Sequence, residues 1–143
     1  MTAIKLLLVD DERAFLDTMT KRLEKRQIVV SAVYSGTDAL DQLEKNKKIE
    51  VVILDVKMPG MDGMETLVEI KTRFPLVEVI MLTGHATVET AIDGMKLGAF
   101  DYLMKPCDID LLLSKATAAA SKKRNHEEKI VEARIKEITQ RQI

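Results

Sequence analysis

The run VVILD at residues 51–55 constrains the fold of this chain more than any other stretch. The apolar residues from Val51 to Leu54 are typical of a strand that is buried on both faces, as strands of parallel sheets are. The strand ends on Asp55, and a proline and a glycine then turn the chain. Asp62 and Glu65 have the spacing of a helix N-cap and its capping-box partner. A carboxylate therefore stands at the carboxyl end of a central strand, where open α/β sheets bind their ligands.

The rest of the chain repeats the same alternation of strand and helix. A helical pattern follows each of the predicted strands, which cover residues 4–9, 28–33, 51–54, 78–82 and 100–104. The fourth helix is expected to turn four apolar residues inward, namely Val88, Ala91, Ile92 and Met95. Strict alternation implies parallel strands joined by right-handed crossovers. The sequence therefore predicts an α/β fold with a doubly wound parallel sheet.

Composition and charge narrow the class of protein. A length of 143 residues fits one domain with a real core but is short for two. A formal net charge of −1 gives no electrostatic reason to expect a nucleic-acid or membrane partner. The single cysteine, Cys107, rules out an internal disulfide and fits a reducing compartment. Because neither a signal peptide nor a transmembrane run is recognisable, we expect a cytoplasmic protein.

The last stretch, residues 121–143, differs from the rest because it lacks turn residues and mixes charges of both signs. Val131, Ile135 and Ile138 follow one another at spacings of four and three, which favours an extension of the fifth helix that pairs with another helix. A partly frayed, solvated tail explains the pattern equally well. We expect one domain at residues 1–122 and a helical extension or linker at residues 123–143.

Polar residues occur where four of the five predicted strands end. Asp10 and Asp11 follow the first strand, Asp55 ends the third, Thr83 follows the fourth and Lys105 follows the fifth. Because parallel strands finish at one edge of the sheet, these side chains are expected to share one crevice. Close carboxylates repel one another unless a divalent cation lies among them, and a few oxygen ligands completed by water suit Mg²⁺. A metal, an amine and a hydroxyl around a carboxylate suit phosphoryl transfer onto that carboxylate, or its reversal by water.

Four stretches carry a family resemblance: LLLVDDE, VVILDVKMPGMDG, VIMLTGHA and GAFDYLMKPCD. They resemble the signatures of receiver domains of two-component response regulators over residues 3–122, and the wording TGHATVETAIDGMKLGAFDYLMKP is most similar to receivers of the nitrogen-regulator type. The resemblance implies a flavodoxin-like sheet of order 2-1-3-4-5, as in chemotaxis regulators. It also implies a signalling domain that a histidine kinase phosphorylates and that turns over no separate substrate.

The same resemblance assigns roles at the acidic crevice. Asp55 would be the phosphoacceptor, and the metal ligands would be Asp10, Asp11, Asp55 and the backbone carbonyl of Lys57. Lys57 and His85 occupy the positions that tune the lifetime of the phosphoryl group. A neutral histidine positions an attacking water less well than an acid or amide, so His85 favours a longer-lived phosphoaspartate.

The resemblance also implies how the signal leaves the crevice. Thr83 and Lys105 would contact the phosphoryl oxygens, and a cis peptide would join Lys105 to Pro106. As Thr83 moves inward, Tyr102 would fill the vacated space and change the face formed by the fourth helix, fifth strand and fifth helix. An ordinary half-buried strand aromatic is the alternative for Tyr102. A homodimer could form through that face or through the C-terminal helix.

Three other interpretations stay open. A flavin-binding protein would need a hydroxyl- or glycine-rich loop after the first strand, where this chain has Asp10, Asp11 and Glu12. A Mg²⁺-dependent phosphatase commonly carries a second acid two residues after its nucleophile, and here that residue is Lys57. The chain could also be the receiver portion of a longer transcriptional regulator. We expect a stand-alone receiver that binds an unknown downstream protein.

Overall fold

Strands and helices alternate in the computed structural model, which describes residues 2–57, 62–84 and 88–141. The strands are β1 (Lys5–Val9), β2 (Val29–Val33), β3 (Val51–Asp55), β4 (Glu78–Thr83) and β5 (Asp101–Met104). The helices are α1 (Arg13–Glu24), α2 (Gly36–Lys45), α3 (Gly63–Arg73), α4 (Val88–Lys96) and α5 (Ile109–Arg141). The predicted order of elements is confirmed.

The strands form one five-stranded sheet of order β2-β1-β3-β4-β5, and every pairing in it is parallel. Helices cover both faces. On one face, α1 and α5 pack against alternate residues of the central strands, and on the other face α2 and α3 do the same. Both the doubly wound sheet and the strand order implied by the resemblance are confirmed.

Strand β3 lies at the centre of this sheet and is buried along its whole length. Val51 and Ile53 point into the core beneath α1 and α5, and Val52 and Leu54 point into the core beneath α2 and α3. Apolar side chains on both faces explain why the strand reads as a continuous hydrophobic run. The strand brings Asp55 to the carboxyl edge of the sheet, where the residue stays 5% exposed.

The turn after β3 is fixed at the start of α3. The carboxylate of Asp62 accepts a hydrogen bond from the backbone N–H of Glu65 at 2.8 Å, which confirms the predicted N-cap. The next residue, Gly63, packs so closely that a Cβ atom would lie 2.3 Å from the backbone oxygen of Asp55. Only glycine allows this approach, so the start of α3 packs against the backbone that follows β3 and fixes its position.

The expectation for α4 is wrong. Val88, Ile92 and Met95 are 76%, 47% and 45% exposed, and Gly94 is the buried residue among those described in this helix. A Cβ atom on Gly94 would come within 2.0 Å of the side chain of Met81 on β4. The helix therefore packs on the sheet through its glycine, and the apolar stripe, about a third of a turn further round, faces outward.

Helix α5 is continuous over 33 residues, so the C-terminal stretch extends the helix and is not a frayed tail. It begins near the carboxyl edge of the sheet and packs along it through Leu112, Ala116 and Ala120. Residues 125–141 are all exposed. None of the helices in the described residues has the length and apolarity that a membrane span requires.

Candidate functional site

The structure brings together the acids that follow β1 and β3. Carboxylate oxygens of Asp10, Asp11 and Asp55 all lie within 4.8 Å of one another. Asp10 is 1% exposed and Asp55 is 5% exposed, whereas Asp11 faces solvent. Thr83, the last residue of β4, is also buried at this edge of the sheet. The described residues thus form an acidic crevice with two buried carboxylates and one exposed carboxylate.

Lys105, which follows β5, closes the crevice. Its Nζ lies 2.6 Å from Oδ2 of Asp10 and 3.8 Å from Oδ2 of Asp55, and its side chain is 14% exposed. Burial alone would lower the pKa of Lys105, but its interactions with Asp10 and Glu12 raise it above the ordinary value. The lysine is therefore charged at neutral pH and supplies a positive charge beside both buried acids.

The charge on Asp55 is costly in this arrangement. Burial, followed by the neighbouring charge of Asp10, raises the pKa of Asp55 from 3.8 to about 6, although Lys105 and the backbone N–H of Lys57 partly oppose the rise. The Lys57 N–H donates to Oδ1 of Asp55 at 3.2 Å. At neutral pH the carboxylate is largely ionised, and the protein bears the free-energy cost of that charge.

One oxygen in the crevice lacks a hydrogen bond. Oδ1 of Asp10 accepts from the backbone N–H of Glu12 at 2.9 Å, but Oδ2 has no hydrogen-bond partner of suitable geometry in the described structure, despite its ion pair with Lys105. Carboxylate oxygens of three residues within 4.8 Å of one another fit a small divalent cation with oxygen ligands. The residues present therefore fit Mg²⁺.

Backbone hydrogen bonds fix the relative positions of the strand ends around the crevice. The N–H of Lys105 donates to the carbonyl of Thr83 at 2.8 Å, and the N–H of Val56 donates to the carbonyl of Leu82 at 3.0 Å. The peptide bond between Lys105 and Pro106 is cis, the geometry that the resemblance implied. The chain beyond β5 is thereby attached to the end of β4, beside Asp55.

The other predicted residues lie at the margins or outside the described structure. The Lys57 side chain is exposed, and the role of its carbonyl as a ligand stays a prediction. His85 lies outside the described residues. Tyr102 is 39% exposed and pairs with Met81 in the β4–β5 register, so its ring is not in the acidic crevice. It lines an apolar groove of about 460 Å³ whose other residues are Val88, Ala91, Ile92, Met95 and Lys96.

Two contacts of Lys105 were not anticipated from the sequence. Oε1 of Glu12 lies 3.1 Å from its Nζ, and the ring of Phe15 lies 4.6 Å below it. Glu12 is the N-cap residue of α1 and Phe15 lies in its first turn, and 93 positions separate Glu12 from Lys105. In the sequence, Glu12 is recognisable only as a third acid after Asp10 and Asp11, and nothing in its spacing indicates a partner so distant in the chain.

A five-stranded parallel sheet with an acidic crevice at its switch point defines a class of signalling domain, and the comparisons agree with that class. Residues 6–117 match the family described as response regulator receiver domain, so the chain belongs to that family. A solved receiver domain from Clostridium thermocellum is 39% identical and superimposes with a TM-score of 0.80, covering 85% of this chain and 97% of that one.

Longer regulators contain similar segments. The chain is 41% identical over 118 residues to the transcriptional regulatory protein ZraR of Salmonella typhimurium, which covers 80% of this chain and 26% of that protein. It is 37% identical over 131 residues to a putative NtrX-like response regulator of Rickettsia bellii, which covers 88% of this chain and 27% of that protein. The chain thus spans about a quarter of the length of these relatives.

Proposed function

We propose that this receiver accepts a phosphoryl group on Asp55 from the phosphohistidine of a histidine kinase in a Mg²⁺-dependent reaction. The observation that carries the proposal is the convergence of three carboxylates within 4.8 Å, with Lys105 paired to Asp10 and 3.8 Å from Asp55. Membership of the receiver family supports the same chemistry.

The transfer begins from an ionised carboxylate. Because the pKa of Asp55 is about 6, the nucleophilic form predominates at neutral pH. An Oδ atom of Asp55 attacks the phosphorus, the nitrogen–phosphorus bond to the donor imidazole breaks, and its electron pair returns to the imidazole nitrogen. The product is an acyl phosphate. The buried position of Asp55 limits access of water to this mixed anhydride.

The surrounding side chains take defined roles. Lys105 lies close enough to Asp55 to bind a phosphoryl oxygen, and the hydroxyl of Thr83 at the end of β4 would donate a hydrogen bond to another. Asp10, Asp11, Asp55 and the carbonyl of Lys57 would hold Mg²⁺, which when bound would offset part of the negative charge of the clustered acids and of the incoming phosphoryl group. Loss of the phosphoryl group to water would return Asp55 to its starting state, at a rate that Lys57 and His85 tune.

Intact mass spectrometry tests this proposal directly. The protein is incubated with acetyl phosphate and Mg²⁺, and we expect the mass of one added phosphoryl group. The addition should disappear in Asp55→Asn and when EDTA removes the metal. Asp17→Asn, which removes an exposed carboxylate of α1, is the matched control and should behave as the unmodified protein. An unchanged mass of the natural sequence at saturating acetyl phosphate would refute the assignment.

We further propose that Thr83 and Tyr102 transmit the modification. Tyr102 is exposed on β5 beside the outward-facing apolar stripe of α4, so inward rotation of its ring would change that surface. Fluorine NMR of a fluorotyrosine-labelled protein, with beryllofluoride as the phosphoryl mimic, would measure this movement. Tyr34→Phe assigns the two resonances, because the chain contains two tyrosines. A Tyr102 resonance that stays in place when beryllofluoride binds would refute the coupling.

The receiver could also be the front part of a longer transcriptional regulator. The relatives named above support this alternative, since ZraR is a transcriptional regulatory protein and the chain matches 26% of its length. In either case the direct partners would be a histidine kinase and a downstream protein or domain. A homodimer could form through the α4–β5–α5 face or through the projecting part of α5, and sedimentation with and without beryllofluoride would distinguish a constitutive dimer from a phosphorylation-dependent one.

A further inference from the structure

A second group of buried charges lies at the amino edge of the sheet, opposite the acidic crevice. Glu50 directly precedes β3, and Glu78 is the first residue of β4. They are 8% and 3% exposed. Burying a carboxylate costs solvation free energy unless a cation and hydrogen bonds compensate it. Both glutamates find a cationic partner on α5, where this helix passes the edge of the sheet.

Glu50 forms a bidentate ion pair with Arg124. Nε of Arg124 lies 2.5 Å from Oε2 of Glu50, and the guanidinium Nη2 lies 2.8 Å from Oε1. Oε1 also accepts from the backbone N–H of Lys5 at 3.2 Å, and Nη2 of Arg124 lies 3.4 Å from the carbonyl of Thr2. Burial alone would raise the pKa of Glu50, but these bonds lower it below the ordinary value. The pair joins α5 to the starts of β1 and β3.

Glu78 is held between two helices. Nζ of Lys122 on α5 lies 3.1 Å from Oε2 in an ion pair without hydrogen-bond geometry, and Nζ of Lys71 on α3 lies 2.9 Å from Oε1. Lys71 also donates to the carbonyls of Pro75 and Val77 at 2.8 and 2.9 Å, so all three ammonium hydrogens have acceptors. Lys71 therefore fixes Glu78 from within the domain, and Lys122 attaches α5 to it.

The two ion pairs leave α5 in different directions. Lys122 and Arg124 are two positions apart, which places them about 200° apart around the helix. The buried residue between them, Lys123, pairs with Glu127 along the helix. Beyond this point residues 125–141 are exposed throughout, and an isolated helix of that length has marginal stability in water. The constraint on this part of α5 must therefore act where the helix leaves the sheet.

We propose that Glu50, Glu78, Lys122 and Arg124 form a clamp that fixes the direction in which α5 leaves the domain. Side chains from nearly opposite sides of the helix are bound to the starts of two neighbouring strands, which restricts both its tilt and its rotation. Residues 125–141 then leave the domain in one fixed direction, without a hinge at the edge of the sheet. The clamp belongs to the edge of the sheet away from Asp55, so the proposal does not depend on phosphorylation.

Distance measurements between spin labels test the clamp. Labels are attached to cysteines replacing Lys21 on α1 and Lys136 on α5, both exposed, in a Cys107→Ala background. The labelled protein is diluted with unlabelled protein so that distances within one chain are measured. We expect a narrow distance distribution in this parent, and a distribution at least twice as wide in Arg124→Gln. Arg134→Gln, which removes an exposed arginine from the projecting helix, is the matched control and should stay narrow.

Lys122→Gln is a milder variant than Arg124→Gln, because the Lys122 side chain is 48% exposed and the pair between Glu50 and Arg124 remains. We expect intermediate widening, together with about tenfold faster amide hydrogen exchange in residues 125–135 and unchanged exchange in β3 and β4. A broad distribution in the parent would overturn the proposal. So would folded Arg124→Gln and Lys122→Gln proteins whose distributions are as narrow as that of Arg134→Gln.

Discussion

Replacing Asp55 by asparagine should stabilise the metal-free protein at neutral pH, even though it removes the proposed phosphoacceptor. The folded state raises the pKa of Asp55 from 3.8 to about 6, so the folded protein binds this proton more tightly than the unfolded chain does. The favourable contribution of protonated Asp55 to the free energy of unfolding is fully present below pH 3.8 and is lost as the pH rises through about 6. Above that pH, the ionised side chain opposes folding.

The magnitude follows from the same two values. Each pKa unit between the two values corresponds to about 1.4 kcal/mol. Ionised Asp55 therefore destabilises the folded protein by at most about 3 kcal/mol at pH 7.5. Asparagine retains an acceptor for the N–H of Lys57 but cannot repel Asp10 as a carboxylate does. We therefore expect the free energy of unfolding of Asp55→Asn to exceed that of the natural sequence by about 1 to 3 kcal/mol.

Urea denaturation in EDTA, at pH 7.5 and at pH 4, measures this difference. The advantage of Asp55→Asn should fall below about 1 kcal/mol at pH 4, where the folded natural protein is largely protonated at this residue and the unfolded chain is partly protonated. Mg²⁺ at pH 7.5 should stabilise the natural sequence more than the variant and narrow the gap. Asp17→Asn is the control for loss of an exposed carboxylate. Equal or lower stability of Asp55→Asn at pH 7.5, or an undiminished advantage at pH 4, would refute the reasoning.

Three further variants test the scaffold around the crevice. Asp62→Ala should lose about 1 kcal/mol of unfolding free energy, measured by urea denaturation, because it removes the N-cap of α3. Gly63→Ala should shift the thermal midpoint down by more than 5 °C, on the order of 1 kcal/mol or more, because its Cβ would meet backbone; Gly84→Ala has open space and should change little. Lys105→Gln should cost about 3 to 5 kcal/mol in EDTA, since it leaves the buried Asp10 without its cation, and a loss below 1 kcal/mol would contradict that pairing.

The sheet and the crevice were predictable because local patterns determine them. The apolar run of β3 needed no knowledge of distant residues, and alternation with helices made every strand parallel. Once the strands are parallel, the residues at their carboxyl ends meet at one edge, which is why Asp10, Asp55 and Lys105 could be grouped from the sequence. The N-cap at Asp62 is equally local, as it depends on residues three positions apart.

The orientation of α4 and the amino-edge charges were beyond sequence reasoning. An amphipathic pattern shows that one face of a helix is apolar but not which neighbour covers it, and the contact of Gly94 with Met81 depends on another element. Glu50 looks like an ordinary surface acid. Its partner, Arg124, lies 74 positions further along the chain, and no local spacing connects the two.

The path of α5 has a practical consequence for experiments on this receiver. The helix starts beside the crevice and leaves from the far edge of the sheet, and 33 residues at about 1.5 Å each make it about 50 Å long. A fluorophore or affinity tag attached at its exposed end would therefore stay clear of Asp55. Surface immobilisation through that end would leave the crevice open to a kinase in solution.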